Sequence, residues 1–187
     1  MGMGEPLLNL EQVMDAVKIL NNKEFMGFGI HRITISTSGI TPKIYELIKL
    51  GYKGRLALSL HAPDQKLRES LMPIAKKYPL PELISAMKAF ATQTQRRISY
   101  EYILIDGIND QPDQARALIN LVGKNNSDLV HINLIPYNPI TGVSFKRSPL
   151  KSVYAFAKIF TDYGISNTFR VTMGDNIKAA CGQLTTQ

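Results

Sequence analysis

The chain is poor in cysteine. One thiol, Cys181, occurs in 187 residues, so an internal disulfide and an all-cysteine metal or iron–sulfur cage built from one copy are both excluded. No stretch approaches the run of about 20 apolar residues that a membrane helix needs. The opening Met1-Gly2-Met3-Gly4-Glu5-Pro6 lacks the basic start and apolar core of a signal peptide. With one cysteine and no export signal, the expected compartment is the cytoplasm, with no membrane partner. Low-complexity tracts and internal linkers are also missing, and the three histidines, His31, His61 and His131, have no metal-ligand spacing. Cys181 itself is open to three readings: an inert core thiol, a reactive thiol, or a thiol that works with groups supplied from elsewhere.

What is present is the composition of a soluble globular protein, 44% hydrophobic and 20% charged. Residues 1–187 are expected to form one domain, which at this length buries on the order of 70% of its unfolded surface. Lys and Arg number 22 against 15 Asp and Glu, a net charge of +7. That excess suits a polyanion such as RNA, although the basic residues are dispersed and also fit solvated faces.

Periodicity alternates between helix and strand along the whole chain. Asn9 is placed to cap a helix running to about Asn22, with Leu10, Val13, Val17 and Leu20 on one face. Strands are expected at Arg32–Thr37, Arg55–Leu60, Ile98–Ile105, Val130–Ile135 and Thr168–Thr172. Between them fall helices from Thr41-Pro42, with Thr41 as cap and Pro42 after it, to Gly51, near 65–71 and 82–93, near 112–122, and from Pro149 to Tyr163. Five strands, each reached through helix, predict an α/β fold: a parallel sheet of about five βα units with right-handed crossovers. A closed eight-stranded barrel takes about 250 residues, which leaves an open doubly wound sheet or the arc of a barrel.

In either arrangement ligands gather beyond the carboxyl ends of the strands. Those ends carry Ser36-Thr37-Ser38-Gly39, Ser59-Leu60-His61, Asp106-Gly107-Ile108-Asn109-Asp110, Pro136-Tyr137-Asn138-Pro139 and Met173-Gly174-Asp175, with the Cys181 segment close behind. Gly2-Met3-Gly4-Glu5-Pro6 reads as a turn of the kind that follows a strand, where glycine lets backbone approach a ligand and Glu5 offers a carboxylate. Each of these residues also has a plain structural use. Ser36 and Ser59 can satisfy strand-end backbone groups, His61 can be a core histidine, and Asn138 a turn residue.

Taken in order, Gly4-Glu5-Pro6-Leu7-Leu8-Asn9, Ser36-Thr37-Ser38-Gly39, Ser59-Leu60-His61-Ala62-Pro63, Ile132–Pro139 and Ala179-Ala180-Cys181-Gly182-Gln183-Leu184 resemble the RlmN/Cfr family of radical S-adenosylmethionine (SAM) adenine methyltransferases of ribosomal RNA. The resemblance covers essentially the whole chain, matches the C-terminal part of that family, and is closer to its carbon-2 (RlmN) branch than to its carbon-8 (Cfr) branch. It implies an incomplete radical-SAM-type (βα) partial barrel in which Gly4 and Glu5 hold the methionine amino group of SAM. Ser36, Ser59, Leu60, His61 and Asn138 would contact the rest of that cofactor, and Cys181 would be the methyl carrier. The implied partner is large-subunit ribosomal RNA, with transfer RNA beside it. The four-iron four-sulfur cluster of such enzymes needs a CxxxCxxC loop, which is absent here, so the cluster belongs to a full-length form only. A fragment inactive alone is therefore expected, and an exposed sheet edge at its first strand invites a homodimer.

The sequence departs from the family pattern at Asn176-Ile177-Lys178, at Thr172-Met173-Gly174, which lacks a frequent arginine, and at Ala75, where asparagine is usual. Lys178 near Cys181 favours the thiolate. The alternative function is a non-catalytic α/β module that binds RNA or a protein partner, its thiol incidental.

Overall fold

The computed structural model describes residues 4–123, 127–140 and 142–169. A short 3-10 turn, Pro6–Asn9, leads into α1 (Leu10–Asn21). There follow β1 (Thr34–Thr37), α2 (Thr41–Lys49), β2 (Arg55–Ser59), α3 (Gln65–Leu71) and α4 (Leu80–Thr94). The remaining elements are β3 (Ile98–Leu104), α5 (Pro112–Val122), β4 (Val130–Pro136), α6 (Leu150–Asp162) and β5 (Asn167–Phe169). Every strand pairing is parallel and the spatial order is β1-β2-β3-β4-β5.

That order chooses between the two architectures the sequence allows. A doubly wound sheet reverses direction so that right-handed crossovers place helices on both faces. Here each connection steps the same way, so the crossovers stack their helices on one face. The result is an open arc of a (βα) barrel.

The two faces of the arc differ accordingly. On the helix side, Leu56 stands beside Ile98 and Val130 in the ladder, and Leu58 beside Tyr100 and Ile132. These residues are buried and pack with Ile44, Leu47, Leu83, Met87, Phe90, Leu118, Phe156 and Phe160 from the helices in one apolar core. The other face carries two polar rows, Ser36-Ala57-Ser99-His131 and Ser59-Glu101-Asn133-Thr168. Alternation at period two is thus apolar toward the helices and polar toward the lumen.

Local details adjust several sequence expectations. Asn9 occupies the N-cap position of α1 but its side chain makes no capping bond. Glu5 instead caps the preceding 3-10 turn, Leu7 N donating to Oε1 at 3.0 Å. The path into α1 is therefore already helical at Asn9, with Leu8 N bonded to the Glu5 carbonyl. Thr41 is the first helical residue of α2 rather than its cap, and its hydroxyl is buried with no partner among the described residues. The burial of Ile40 and Thr41 against the core brings the helix start one residue earlier than a hydroxyl cap would. The first strand is shorter than expected because Ile30–Arg32 form a 3-10 turn. Of the expected last strand, 168–172, residues 170–172 lie outside the described residues. No helix among the described residues is long and apolar enough to cross a membrane.

Candidate active site at the strand carboxyl ends

A cavity of about 1150 Å³ occupies the lumen side of the arc. It exceeds the few hundred to about 1,000 Å³ usual for small-molecule pockets, so a nucleoside-sized ligand fits with room beside it. One end lies at the carboxyl ends of β1–β3, lined by Gly4, Glu5, Ser36, Ser38, Ser59 and Glu101. The other lies at the amino ends of the strands, where Arg55, Arg97 and His131 border it. The charge therefore runs from basic to acidic along the strand direction.

Glu5 ties the opening turn to the end of β1. Its Oε1 accepts from Leu7 N and from Thr37 Oγ1 (2.8 Å), and its Oε2 from Ser38 N (2.6 Å) and Ser38 Oγ (2.7 Å). A carboxylate has about four in-plane acceptor sites, and all four here serve this chain. Gly4 beside it has φ +93° with open space around its α-carbon, so the backbone conformation rather than crowding calls for glycine there. At Gly39, just past β1, both reasons apply: φ is +106° and a Cβ would stand 2.7 Å from Leu83 Cδ2.

Two buried groups brace this rim from behind. Arg68 of α3 is fully buried, and its Nη2 donates to the carbonyls of Ser38 (2.7 Å) and Ser59 (3.2 Å), clamping the ends of β1 and β2. Burial lowers its guanidinium to a pKa of about 10, so it stays charged at neutral pH. Asn109, also fully buried, donates through Nδ2 to the carbonyls of His61 (2.9 Å) and Ile103 (2.6 Å) and accepts from Ile105 N at 2.7 Å. It fastens the loop after β3 to the end of β2.

Gly4, Glu5, Ser36 and Ser59 come together on the cavity, whereas Leu60, His61 and Asn138 are not among the residues that line it. Leu60 is fully buried on the core side. His61 sits in the left-handed region (φ 59°), and its Nδ1 accepts from Ile103 N at 3.1 Å, which places the ring proton on Nε2. Burial, helped by the nearby Arg68 charge, lowers its pKa to about 4, so the imidazole is neutral. Asn138 is buried and accepts from Arg147 Nη2 at 2.8 Å through Oδ1. Cys181 lies outside the described residues.

The lumen wall adds polar residues that motif reading passes over. Glu101, on β3, accepts from Ser99 Oγ (3.0 Å) and Asn133 Nδ2 (2.6 Å). Thr168 Oγ1 donates to Asn133 Oδ1 at 3.2 Å and lies 2.9 Å from His131 Nε2. Arg97 Nη2 donates to Ser166 Oγ (2.6 Å) and to His131 Nδ1 (2.9 Å). Burial first, then the Arg97 and Arg55 charges, push the His131 pKa down. The signal for these residues is present in the sequence as strict alternation, Ser99-Tyr100-Glu101-Tyr102 and His131-Ile132-Asn133-Leu134, but it assigns no chemistry without the strand order.

No group of three or more His, Cys, Asp and Glu residues able to hold a metal ion occurs among the described residues. A three-cysteine cluster site cannot be assembled from a sequence with one cysteine. An organic cofactor does fit the cavity, because Gly4 leaves its approach open and Glu101 keeps unused acceptor capacity on the wall.

An open parallel arc with its helices on one face and a ligand-sized, polar lumen at the strand ends defines a partial (βα)-barrel protein. The family model described as the Radical SAM superfamily matches residues 1–119, and the chain belongs to that superfamily. A protein of Thermoanaerobacter sp. (strain X514) named "Probable dual-specificity RNA methyltransferase RlmN" is 47% identical over 184 residues, 98% of this chain and 53% of the relative. One of Protochlamydia amoebophila (strain UWE25), named "Probable dual-specificity RNA methyltransferase RlmN 2", is 46% identical over 188 residues, 100% of this chain and 51% of the relative. The chain thus spans about half the length of these curated relatives. The crystal structure of a radical SAM methyltransferase from Sphaerobacter thermophilus is similar at a TM-score of 0.91 and 44% identity, over 98% of this chain and 53% of that one. A domain of pyruvate-formate lyase-activating enzyme from Bacteroides vulgatus ATCC 8482 shares the fold at a TM-score of 0.65 and 18% identity, covering 91% of this chain and 97% of that domain.

Proposed function

We propose that this chain is the SAM-binding and methyl-carrying part of an RNA methyltransferase of the RlmN type, acting on carbon 2 of adenine in large-subunit ribosomal RNA and also in transfer RNA. The observation that carries the reading is the convergence of Gly4, Glu5, Ser36 and Ser59 on one cavity at the strand carboxyl ends of a radical SAM chain. The relatives named RlmN support the substrate class. Gly4, with the Glu5 carboxylate and the Ser38 hydroxyl it holds, would receive the amino-acid end of SAM. Ser36 and Ser59 would line its path along β1 and β2. Bound there, SAM supplies the transferable methyl group.

His61 and Asn138 would act from behind the wall, His61 by fixing the β2–β3 rim and Asn138 through Arg147. Leu60 would support the site through the core. Cys181 is proposed as the thiol that carries the methyl group to the adenine carbon, which is too weak a nucleophile for direct displacement. The iron–sulfur cluster of the full-length enzyme would require cysteines this sequence does not contain, so the chain by itself is expected to bind SAM without catalysing methyl transfer. The net charge of +7 suits the RNA partner. The side of β1 turned away from β2 is proposed to pair with a second copy of the chain.

Isothermal titration of the folded chain with SAM tests the reading. Binding is expected, weakened about 3- to 10-fold by Ser36→Ala or Ser59→Ala, each of which removes one polar contact. Cys181→Ala is expected to leave affinity unchanged, because its role follows binding. A folded wild-type chain that takes up no SAM overturns the proposal.

A further inference from the structure

At the amino end of the lumen, opposite the rim assigned to the cofactor, two cations stand side by side. Arg55 opens β2 and Arg97 immediately precedes β3, one step before the Leu56–Ile98 pair of the ladder. Leu56 and Ile98 face the helix-side core, so the two arginines alternate to the lumen side, and both border the cavity. Like charges opposite one another on neighbouring strands, about 4.8 Å apart, repel.

No acid offsets them among the described residues. Neither arginine belongs to any of the ion pairs there. The acids that border the cavity, Glu5 and Glu101, lie toward its other end, Glu101 about 13 Å along β3 at ~3.3 Å per residue. Asp128, before β4, is exposed and does not border the cavity. The partners of Arg97 are neutral: its Nη2 donates to Ser166 Oγ and His131 Nδ1, which orients the guanidinium without balancing it. Its Nε is buried and has no partner among the described residues. Arg55 is exposed and accessible from outside. Both charges reach one point, since each lowers the His131 pKa after burial has done so.

A small dianion with several oxygens complements this pair. A phosphate group carries close to two negative charges and accepts guanidinium donors on different oxygens. A carboxylate brings one charge and leaves one arginine unbalanced. We propose that Arg55 and Arg97 bind a phosphate group at the amino end of the lumen, carried by free inorganic phosphate or by a small nucleotide. This site is separate from the rim and stands whether or not SAM binds there.

The test is a titration of inorganic phosphate into the whole chain at constant ionic strength and slightly alkaline pH, with the His131 ring resonance as reporter. Saturable movement is expected with a Kd of about 1 mM, and acetate is expected to bind about 10-fold more weakly. Arg97→Gln and, independently, the exposed Arg55→Gln are each expected to weaken phosphate about 10-fold. Lys53→Gln, at an exposed cation of the same strand end that does not border the cavity, is expected to leave binding unchanged. Adenosine 5′-monophosphate separates the sources: binding tighter than phosphate that Arg97→Gln weakens assigns the site to a nucleotide, and otherwise the free ion is the ligand. No saturable response up to about 10 mM phosphate overturns the inference. Equal affinity for acetate, or an equal loss in Lys53→Gln, overturns it as well, because diffuse charge would then explain the response.

Discussion

At Glu5 both carboxylate oxygens accept two hydrogen bonds each, and all four donors belong to the chain. Under the proposed SAM reading, a ligand ammonium at this end would meet a carboxylate already organised by Ser38 and Thr37. It can be received by displacing or sharing the Ser38 hydroxyl, which rotates freely, but not the Ser38 backbone N–H. His61 shows the same preference for the protein over the cavity. Its imidazole is kept neutral by burial, with the pKa lowered to about 4 from an ordinary 6.5. The unfolded chain binds a proton at this site between those values and the folded chain refuses it. Stability from this group is therefore full above pH 6.5 and falls as the pH drops toward 4. We predict that urea melts of the wild type lose stability over this window. In His61→Asn, a residue that tolerates φ 59°, the part of that slope due to His61 should vanish. An unchanged slope in the variant would assign the loss to other groups, His131 first. Both His61 and Ser59 were legible as rim residues from their place after a strand. Which of them faces the lumen was not, because adjacent strand positions point to opposite sides and only the ladder says which side is covered.

The elements show why some helix boundaries were readable and others not. Helix α3 starts at Gln65, as the helical pattern near 65–71 predicts, and the structure adds its cap: Leu67 N donates to Asp64 Oδ1 at 2.9 Å, a carboxylate with no other hydrogen bond among the described residues. Asp64→Ala is expected to cost about 1 kcal/mol, with Asp64→Asn nearly neutral because asparagine caps as well; chemical denaturation decides, and equal losses in the two variants would show that the cap bond is not the source. Thr41 and Asn9 carry the same cap chemistry, but burial of Ile40 and the helical entry through Pro6–Asn9 override it. Local preference of about 1 kcal/mol yields where a core contact or a preceding turn sets the path. Strand β3 makes the complementary point. Its polar Ser99 and Glu101 look like one solvated face of a half-exposed strand, yet Glu101 is buried. The face is a lumen, so the polar residues there are met by one another.

For the whole molecule, the deciding feature is that the strands are laid down in one direction without reversal. Right-handed crossovers then place the helices together on the outside, and the inner face carries the polar rows and the cavity. The same winding leaves β1 paired only to β2 among the described strands, and a second copy pairing along its other side would extend the sheet. We expect a concentration-dependent dimer by sedimentation, dispersed by Thr34→Pro, because Ile33 and Ile35 bond toward β2 and the exposed Thr34 N–H faces away from it; a monomer at all concentrations refutes pairing through that edge. Sequence alone determined the α/β alternation, the five parallel strands and the rim segments, because period-two and helical patterning, glycine stops and crossover lengths are local properties. It also determined, by composition, that one chain cannot supply three cysteines to a cluster. Only the tertiary structure decided between an arc and a doubly wound sheet, separated Ser36 and Ser59 from Leu60, His61 and Asn138, and exposed Glu101. Those outcomes depend on strand order and register, long-range pairings that no local pattern encodes.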